Sequence, residues 1–199
     1  MFKKIFLFFV LISLSSCFFI AKTIYGIKSP KPETPEKIGN WLSKRHLPID
    51  SLTLDSSVMS PYEHGGKVNF TSSPKIEIYS PQGYFTDLMN NSCSYAYLIS
   101  SKRKYTVDSS KTLQMLTPTL NTINGKPIQP LVPDGKNYTY VIYWSIWSGK
   151  MSSNMINEVK SYIDSTSNNK FILVNSDLLQ RWNWLKDVDI KVKETKAKK

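Results

Sequence analysis

Apolar residues recur along the chain at two different spacings, and these spacings predict alternating strands and helices. Residues 138–144 and 170–175 are short runs rich in β-branched and aromatic side chains, which is typical of buried strands. Residues 151–163 between them have helical spacing, and their apolar face comprises Met151, Met155, Ile156, Val159, Tyr162 and Ile163. This order predicts two parallel strands joined by a helix, and therefore an α/β fold.

A second group of elements is predicted upstream of this unit. Residues 75–79 alternate polar and apolar side chains, as a half-buried strand does, and Pro81 and Gly83 follow where a turn requires them. Tyr84 and Phe85 then begin another strand, so the sequence predicts a β-hairpin. A weaker pattern predicts a helix at 36–45, with Ile38, Trp41 and Leu42 on one face. Other weak patterns predict a strand near 49–54, a helix at 92–100, a helix or loop at 112–120 and an edge strand at 187–193.

The N-terminus has the three parts of an export signal: Lys3 and Lys4, an apolar run at 5–14, and small residues before Cys17. Leu14-Ser15-Ser16-Cys17 resembles the bacterial lipobox. The resemblance implies cleavage before Cys17 and a lipid on its sulfur, so that residues 1–16 are a signal peptide. The alternative is an uncleaved anchor, because the apolar run continues to residue 21. Both alternatives attach the chain to a membrane of the bacterial cell envelope, with its body outside the cytoplasm.

The remaining chain divides into a proline-rich, lipidated tether at 17–35, a body at 36–193 and a basic tail at 194–199. The net charge is +11, and much of it lies at the two ends. The first 47 residues hold eight lysine or arginine residues against two glutamates, and the last 14 hold six lysines against three acids. Attraction to anionic lipid headgroups explains the first cluster, so we expect a membrane partner and no nucleic acid.

Composition excludes several classes of protein. Hydrophobic residues make up 41% and charged residues 21%, which excludes a wholly disordered chain and a multi-span membrane protein. Two cysteines and two histidines exclude a disulfide scaffold and argue against a metal site, so we expect neither metal nor cofactor. Once Cys17 is lipidated, Cys93 is the one remaining cysteine. It is interpreted as a small buried side chain or, alternatively, as a single reactive thiol.

Residues 143–151 read Tyr-Trp-Ser-Ile-Trp-Ser-Gly-Lys-Met, between a predicted strand and a predicted helix. This loop resembles the thioredoxin family, in particular its exported, membrane-tethered bacterial members. Trp144 matches the aromatic-Trp pair of the family's loop, and Trp147 and Gly149 match the Trp-Cys-Gly-Pro-Cys that follows two spacer residues later. Val174, Asn175 and Asp177 match the end of its next strand. The chain also resembles uncharacterised lipoproteins of the Bacteroidetes, and that likeness implies no activity. An open alternative is that both tryptophans are core residues of an unrelated α/β domain.

The departures from the family's loop determine what chemistry is expected. Ser148 and Met151 occupy its two cysteine positions, and Lys150 occupies its proline position. Dithiol–disulfide exchange needs a reactive thiolate and a resolving thiol, so this loop is expected to be redox-inactive. The family's cis-proline and hairpin follow its loop, whereas here Pro74 and the predicted hairpin precede it. The resemblance therefore implies a thioredoxin-like sheet flanked by helices with permuted strand order, in which Pro74 faces the loop.

Three functions remain open at this point. The first is a cell-envelope lipoprotein whose redox-inactive thioredoxin-like domain binds a protein or peptide partner, because the family's cleft receives extended chain. The second is a thiol oxidoreductase that uses Cys93 alone. The third is a membrane-anchored α/β domain of unrelated function.

Overall fold

The computed structural model describes residues 22–60, 74–87, 106–166 and 169–187. These residues form seven strands, namely β1 (Ser51–Leu54), β2 (Lys75–Tyr79), β3 (Tyr84–Asp87), β4 (Thr106–Thr112), β5 (Leu120–Thr122), β6 (Thr139–Trp144) and β7 (Lys170–Asn175). They also form helices α1 (Pro35–Ser43), α2 (Ser56–Met59) and α3 (Lys150–Thr166), and 3-10 helices at Leu113–Thr119 and Asn183–Lys186. None of the helices in these ranges combines the length and the apolar character that crossing a membrane requires.

The seven strands belong to one sheet, in the order β4-β3-β2-β6-β7-β1-β5. Strand β7 is parallel to β6 on one side and to β1 on the other. The hairpin of β2 and β3 lies on the other side of β6, and β2 runs antiparallel to β6 from Lys75 opposite Tyr143 to Tyr79 opposite Thr139. The predicted α/β class, the hairpin and the parallel pair are thus confirmed.

Helix α3 connects the parallel strands β6 and β7, as its spacing predicts. Four of the six predicted apolar positions are buried, and Met151 and Tyr162 are half-buried. The helix also buries Ser152 and Ser153 in its first turn. The apolar spacing predicts the part of α3 that packs on the sheet, but it does not predict that the polar first turn is buried.

Helix α1 is set by its first residues. Thr34 caps it, because its Oγ1 accepts a hydrogen bond from the Lys37 N–H at 3.2 Å, and Pro35 stands at the first helical position. Its predicted face is buried. Trp41 on that face stacks on Trp144 of β6 with 4.7 Å between ring centroids. The Trp144 indole N–H donates to Ser51 Oγ at 3.1 Å, so this tryptophan joins α1, β6 and β1 in the core.

Several elements differ from the sequence-based expectation. Strand β4 was not predicted, because its sequence TVDSSKT is largely exposed and has no apolar alternation. Ile49 is 62% exposed and lies before β1 rather than in it. The weak pattern at 112–120 is a 3-10 helix followed by the short strand β5. The helix predicted around Cys93 and nearly all of the edge strand predicted at 187–193 lie outside the described residues.

Candidate functional site

Residues 145–149 connect the end of β6 to the start of α3 and contain most of the predicted site residues; we call them the β6–α3 loop. Gly149 has a φ of +60°, a left-handed conformation that glycine adopts at little cost. Trp147 is half-buried, Lys150 is exposed as the first residue of α3, and Met151 is half-buried. The loop that resembles the thioredoxin site is therefore the sharp turn between a buried strand and a helix.

Three serine hydroxyls, two from this loop and one from the first turn of α3, are buried together where the resemblance places a thiol. Ser145 Oγ and Ser148 Oγ form a short hydrogen bond, and Ser148 Oγ lies 3.0 Å from Ser152 Oγ. The Ser152 hydroxyl donates to the Ser145 carbonyl at 3.0 Å and accepts from the Ser145 N–H at 3.1 Å. These contacts fasten the first turn of α3 to the end of β6.

Ser148 is 1% exposed, and its hydroxyl hydrogen-bonds with the hydroxyls of Ser145 and Ser152. Two further serines therefore engage Ser148, which stands where the resemblance places the first cysteine.

Asp177, two residues after β7, holds the same loop from the other side. Its Oδ2 accepts hydrogen bonds at 2.8 Å from the Ile146 N–H and from the Asn175 side chain. Oδ1 has no hydrogen-bond partner among the described residues. One oxygen of the side chain therefore binds a loop amide and the Asn175 side chain, and the other oxygen is unsatisfied among the described residues.

The surroundings of Asp177 favour its protonated form. Burial is the main cause, and together with the nearby charge of Glu33 it raises the pKa of Asp177 to about 6. The hydrogen bonds from Ile146 and Asn175 act in the opposite direction and only partly offset burial.

The chain's own N-terminal portion lies against this site. Residues 25–33, which we call the docked segment, are bound to the body through backbone groups. The Lys28 N–H donates to the Trp147 carbonyl at 2.7 Å, and the Glu33 N–H donates to the Leu178 carbonyl at 2.7 Å. The Gln180 N–H returns a bond to the Glu33 carbonyl at 3.0 Å, which completes a parallel β-bridge.

Gly149 is where the docked segment comes closest to the loop. A Cβ built on Gly149 would stand 2.6 Å from the carbonyl oxygen of Gly26, and nearer still to that of Tyr25. Real Cβ atoms do not approach backbone oxygen this closely. The segment occupies the space that any other residue at position 149 would need for its side chain.

The side chain of Glu33 anchors the far end of the docked segment. It is 2% exposed and pairs with Lys37 of α1 at 2.5 Å. Residues 28–33 were expected to belong to a tether between the membrane and the body. In the structure they form no helix or strand apart from the bridge at Glu33, and they lie on the body, with Lys28 and Glu33 as the points of attachment.

Pro74 immediately precedes β2, whose first residue, Lys75, lies opposite Tyr143. This register places Pro74 at the end of the sheet from which the β6–α3 loop leaves. Ser73 lies outside the described residues, so the Ser73–Pro74 peptide bond does too. Cys17 and Cys93 also lie outside them, and their predicted roles stay predictions.

Sequence reasoning identified the loop but missed the residues that shape it. Ser145, Ser148 and Ser152 recur at intervals of three and four, a helical spacing of small polar residues that could have indicated a shared face. Asp177 was noted as part of the next strand's end, without its role as a cap. Glu33 stands in a proline-rich stretch and carries no sequence signal of burial.

A second buried carboxylate, on the other side of β6, provides a contrast. Glu77 of β2 is 3% exposed; its Oε1 contacts Lys75 at 2.7 Å and Lys111 at 2.6 Å. Its Oε2 accepts from the hydroxyls of Tyr79 at 2.9 Å and Tyr143 at 3.1 Å. Burial alone would raise the pKa of Glu77, but the hydrogen bonds and charges of Lys111 and Lys75 outweigh it and hold that pKa below its usual value.

The described residues contain no group of three or more histidine, cysteine, aspartate or glutamate side chains placed to hold a metal ion. Comparisons with protein-family models, with curated proteins and with solved structures each found no match to this chain.

Proposed function

We propose that this protein is a membrane-attached module of the bacterial cell envelope that binds extended polypeptide chain at the β6–α3 loop, without thiol chemistry. In this proposal the body is a thioredoxin-like domain with permuted strand order. The membrane attachment is the lipid on Cys17, or the uncleaved apolar run that contains it.

The observation that carries the proposal is the way in which residues 28–33 are held. Two amides and one carbonyl of the segment bond to backbone groups at Trp147, Leu178 and Gln180. Backbone pairing of this kind recognises an extended chain largely independently of its side chains. A segment of a partner protein could use the same donors and acceptors if it displaced the chain's own residues.

The sheet supports the thioredoxin-like part of the proposal. The permuted arrangement requires the upstream hairpin to lie in one sheet with β6, and β2 pairs with β6 along its whole length. It also requires the start of β2 to lie near the β6–α3 loop, and Lys75 is paired beside the end of β6.

A direct test supplies the segment as a separate peptide. In the full-length protein, the pair Lys28→Pro and Glu33→Pro removes both amide donors of the docked segment and leaves the surface that receives them intact. A fluorescent peptide corresponding to residues 25–35 should then bind, measured by anisotropy, because its native amides can form the bonds that the variant has lost.

The matched control is the pair Lys28→Ala and Glu33→Ala, which removes the same side chains but keeps both amides. Its own segment still competes, so the peptide should bind this control more weakly than the proline variant. Absence of peptide binding to the proline variant, or equal binding to both variants, would overturn the proposal.

The absence of thiol chemistry is tested separately. Purified protein should not catalyse the reduction of insulin by dithiothreitol above the uncatalysed rate, since Ser148 and Met151 provide no thiol. Catalysis that is lost on Ser148→Ala would contradict this part of the proposal, and catalysis lost on Cys93→Ser would favour the single-thiol oxidoreductase instead.

A further inference from the structure

The docked segment continues, toward the N-terminus, into the part of the chain expected to meet the membrane. Residues 22–25 are helical and directly follow the apolar run that ends at residue 21. Ile24 and Tyr25 are 58% and 38% exposed. Two large apolar side chains therefore lie on the surface within four residues of the end of the apolar run and within eight residues of Cys17.

Exposed lysines follow this apolar pair along the chain, and another stands next to Gly149. Lys28 and Lys31 of the docked segment are exposed, and no acidic residue occurs between residues 22 and 32. Lys150 is exposed beside Gly149, the residue that the Tyr25 and Gly26 carbonyls contact. The nearest acid of the segment, Glu33, is buried and paired with Lys37, so the pair adds no net negative charge to this surface.

We propose that the surface formed by Ile24, Tyr25, Lys28, Lys31 and Lys150 lies on the anionic headgroups of the membrane that holds the chain's N-terminus. This inference rests on the proposed membrane attachment and adds an orientation to it. The β6–α3 loop then faces the bilayer, and the opposite end of the sheet points away from it.

Chain continuity selects the membrane as the occupant of this surface. Five residue steps separate Cys17 from Lys22, which stands three residues before the docked segment. A fully extended chain covers about 3.5 Å per residue, so Lys22 stays within roughly 18 Å of the attachment point. A long flexible tether would allow any orientation, whereas residues 28 and 33 are bonded to the body. Lysines and exposed aromatic or aliphatic side chains together suit the headgroup region of an anionic bilayer.

The test compares two lysines at opposite ends of β6. Lys150 follows the loop after this strand, and Lys136 lies in the turn before it; both are exposed. Six strand residues place the two ends about 20 Å apart. The photo-crosslinking residue p-benzoylphenylalanine is placed at position 150, 136 or 25 of the full-length protein, in vesicles of phosphatidylcholine with or without phosphatidylglycerol.

In the anionic vesicles, position 150 should crosslink to lipid several-fold more than position 136, and high salt or omission of phosphatidylglycerol should reduce that ratio. The pair Lys28→Glu and Lys31→Glu should also reduce it, whereas the pair Lys126→Glu and Lys170→Glu, which changes net charge equally at two other exposed positions, should not. Equal crosslinking at positions 150 and 136 would overturn the proposed orientation.

Position 25 separates failure of the orientation from failure of the attachment. Crosslinking at 25 with no excess at 150 over 136 leaves the chain attached but rejects the orientation. Protein that fails to sediment with vesicles and crosslinks at none of the positions rejects the attachment and the orientation together.

Discussion

The two buried carboxylates Glu77 and Asp177 sit on opposite sides of β6 and differ in how well their charge is compensated. Glu77 has two lysines on one oxygen and two tyrosine hydroxyls on the other. Asp177 has neutral N–H donors on one oxygen, none on the other among the described residues, and Glu33 as a charged neighbour. Their pKa values accordingly move in opposite directions, that of Glu77 down and that of Asp177 up.

The surroundings of Glu77 therefore stabilise the fold, whereas the surroundings of Asp177 lower its stability. A fully hydrogen-bonded buried charge reinforces β2, β4 and β6, which contribute its partners. A buried charge with an unsatisfied oxygen costs free energy, and such costs tend to be tolerated at functional positions. Asp177 holds the β6–α3 loop in the form that receives the docked segment, which is the function we propose for this end of the sheet.

The largest loss of stability is expected at Glu77, whose charge and hydrogen-bonding capacity are fully compensated by its partners. Glu77→Ala leaves two buried tyrosine hydroxyls without their acceptor and removes the partner of two half-exposed lysines, so it should lower the free energy of unfolding by about 3 kcal/mol. Urea unfolding at pH 7 measures this loss. Glu77→Gln keeps an acceptor and should cost less; equal loss in both variants would show that the charge alone matters.

The second effect has the opposite sign. Because the pKa of Asp177 is about 6 in the folded protein, against an ordinary value of 3.8 for the unfolded chain, its proton stabilises the fold fully below about pH 3.8, and that stabilisation is lost as pH rises through 6. The Asp177→Asn variant cannot lose this stabilisation. Its free energy of unfolding, relative to that of the native protein, should therefore rise by about 2 kcal/mol from pH 4 to pH 7. Unfolding free energies of both proteins, subtracted at each pH, give the gain.

Glu77 supplies the contrast for that measurement. Its lowered pKa means that its contribution is present above its usual pKa and is lost as pH falls through the folded value. The difference in free energy of unfolding between the native protein and Glu77→Gln should therefore change with pH in the acid range only. If the Asp177→Asn difference stayed flat from pH 4 to pH 7, the two carboxylates would not differ as proposed.

A smaller effect is expected at Gly149. Gly149→Ala adds a Cβ that collides with the docked segment and also strains a residue with positive φ. Gly135 has a similar φ of +74° with nothing within 4 Å of its Cβ position, so Gly135→Ala measures the strain alone. Gly149→Ala should be less stable than Gly135→Ala by about 1–2 kcal/mol. Equal losses would mean that the segment moves away at no cost.

The sequence was most informative where burial follows a simple repeat. Residues 138–144, 151–163 and 170–175 predicted β6, α3 and β7 within a few residues, because their apolar runs pack on a single core. The hairpin was predicted from Pro81 and Gly83, whose backbone preferences fix a turn locally. In contrast, β4 owes its place to pairing with β3 at the edge of the sheet, which needs no apolar side chain.

The site was only partly predictable, for a physical reason. The loop could be found from Trp144, Trp147 and Gly149, and its lack of thiols from Ser148 and Met151. The docked segment could not, because its attachment uses backbone N–H and C=O groups, which every sequence has. A proline-rich stretch therefore resembles a solvated tether until the groups it bonds to are known.

Amide hydrogen exchange of residues 28–33 in the full-length, vesicle-bound protein tests the central claim most directly. The amides of Lys28 and Glu33 should exchange far more slowly than an unstructured tether, because both donate to the body. In Lys28→Pro, which loses one bond worth about 1 kcal/mol, the Glu33 amide should exchange faster, and in Lys28→Ala it should not. Exchange of both amides at the unstructured rate in the native protein would contradict a docked segment.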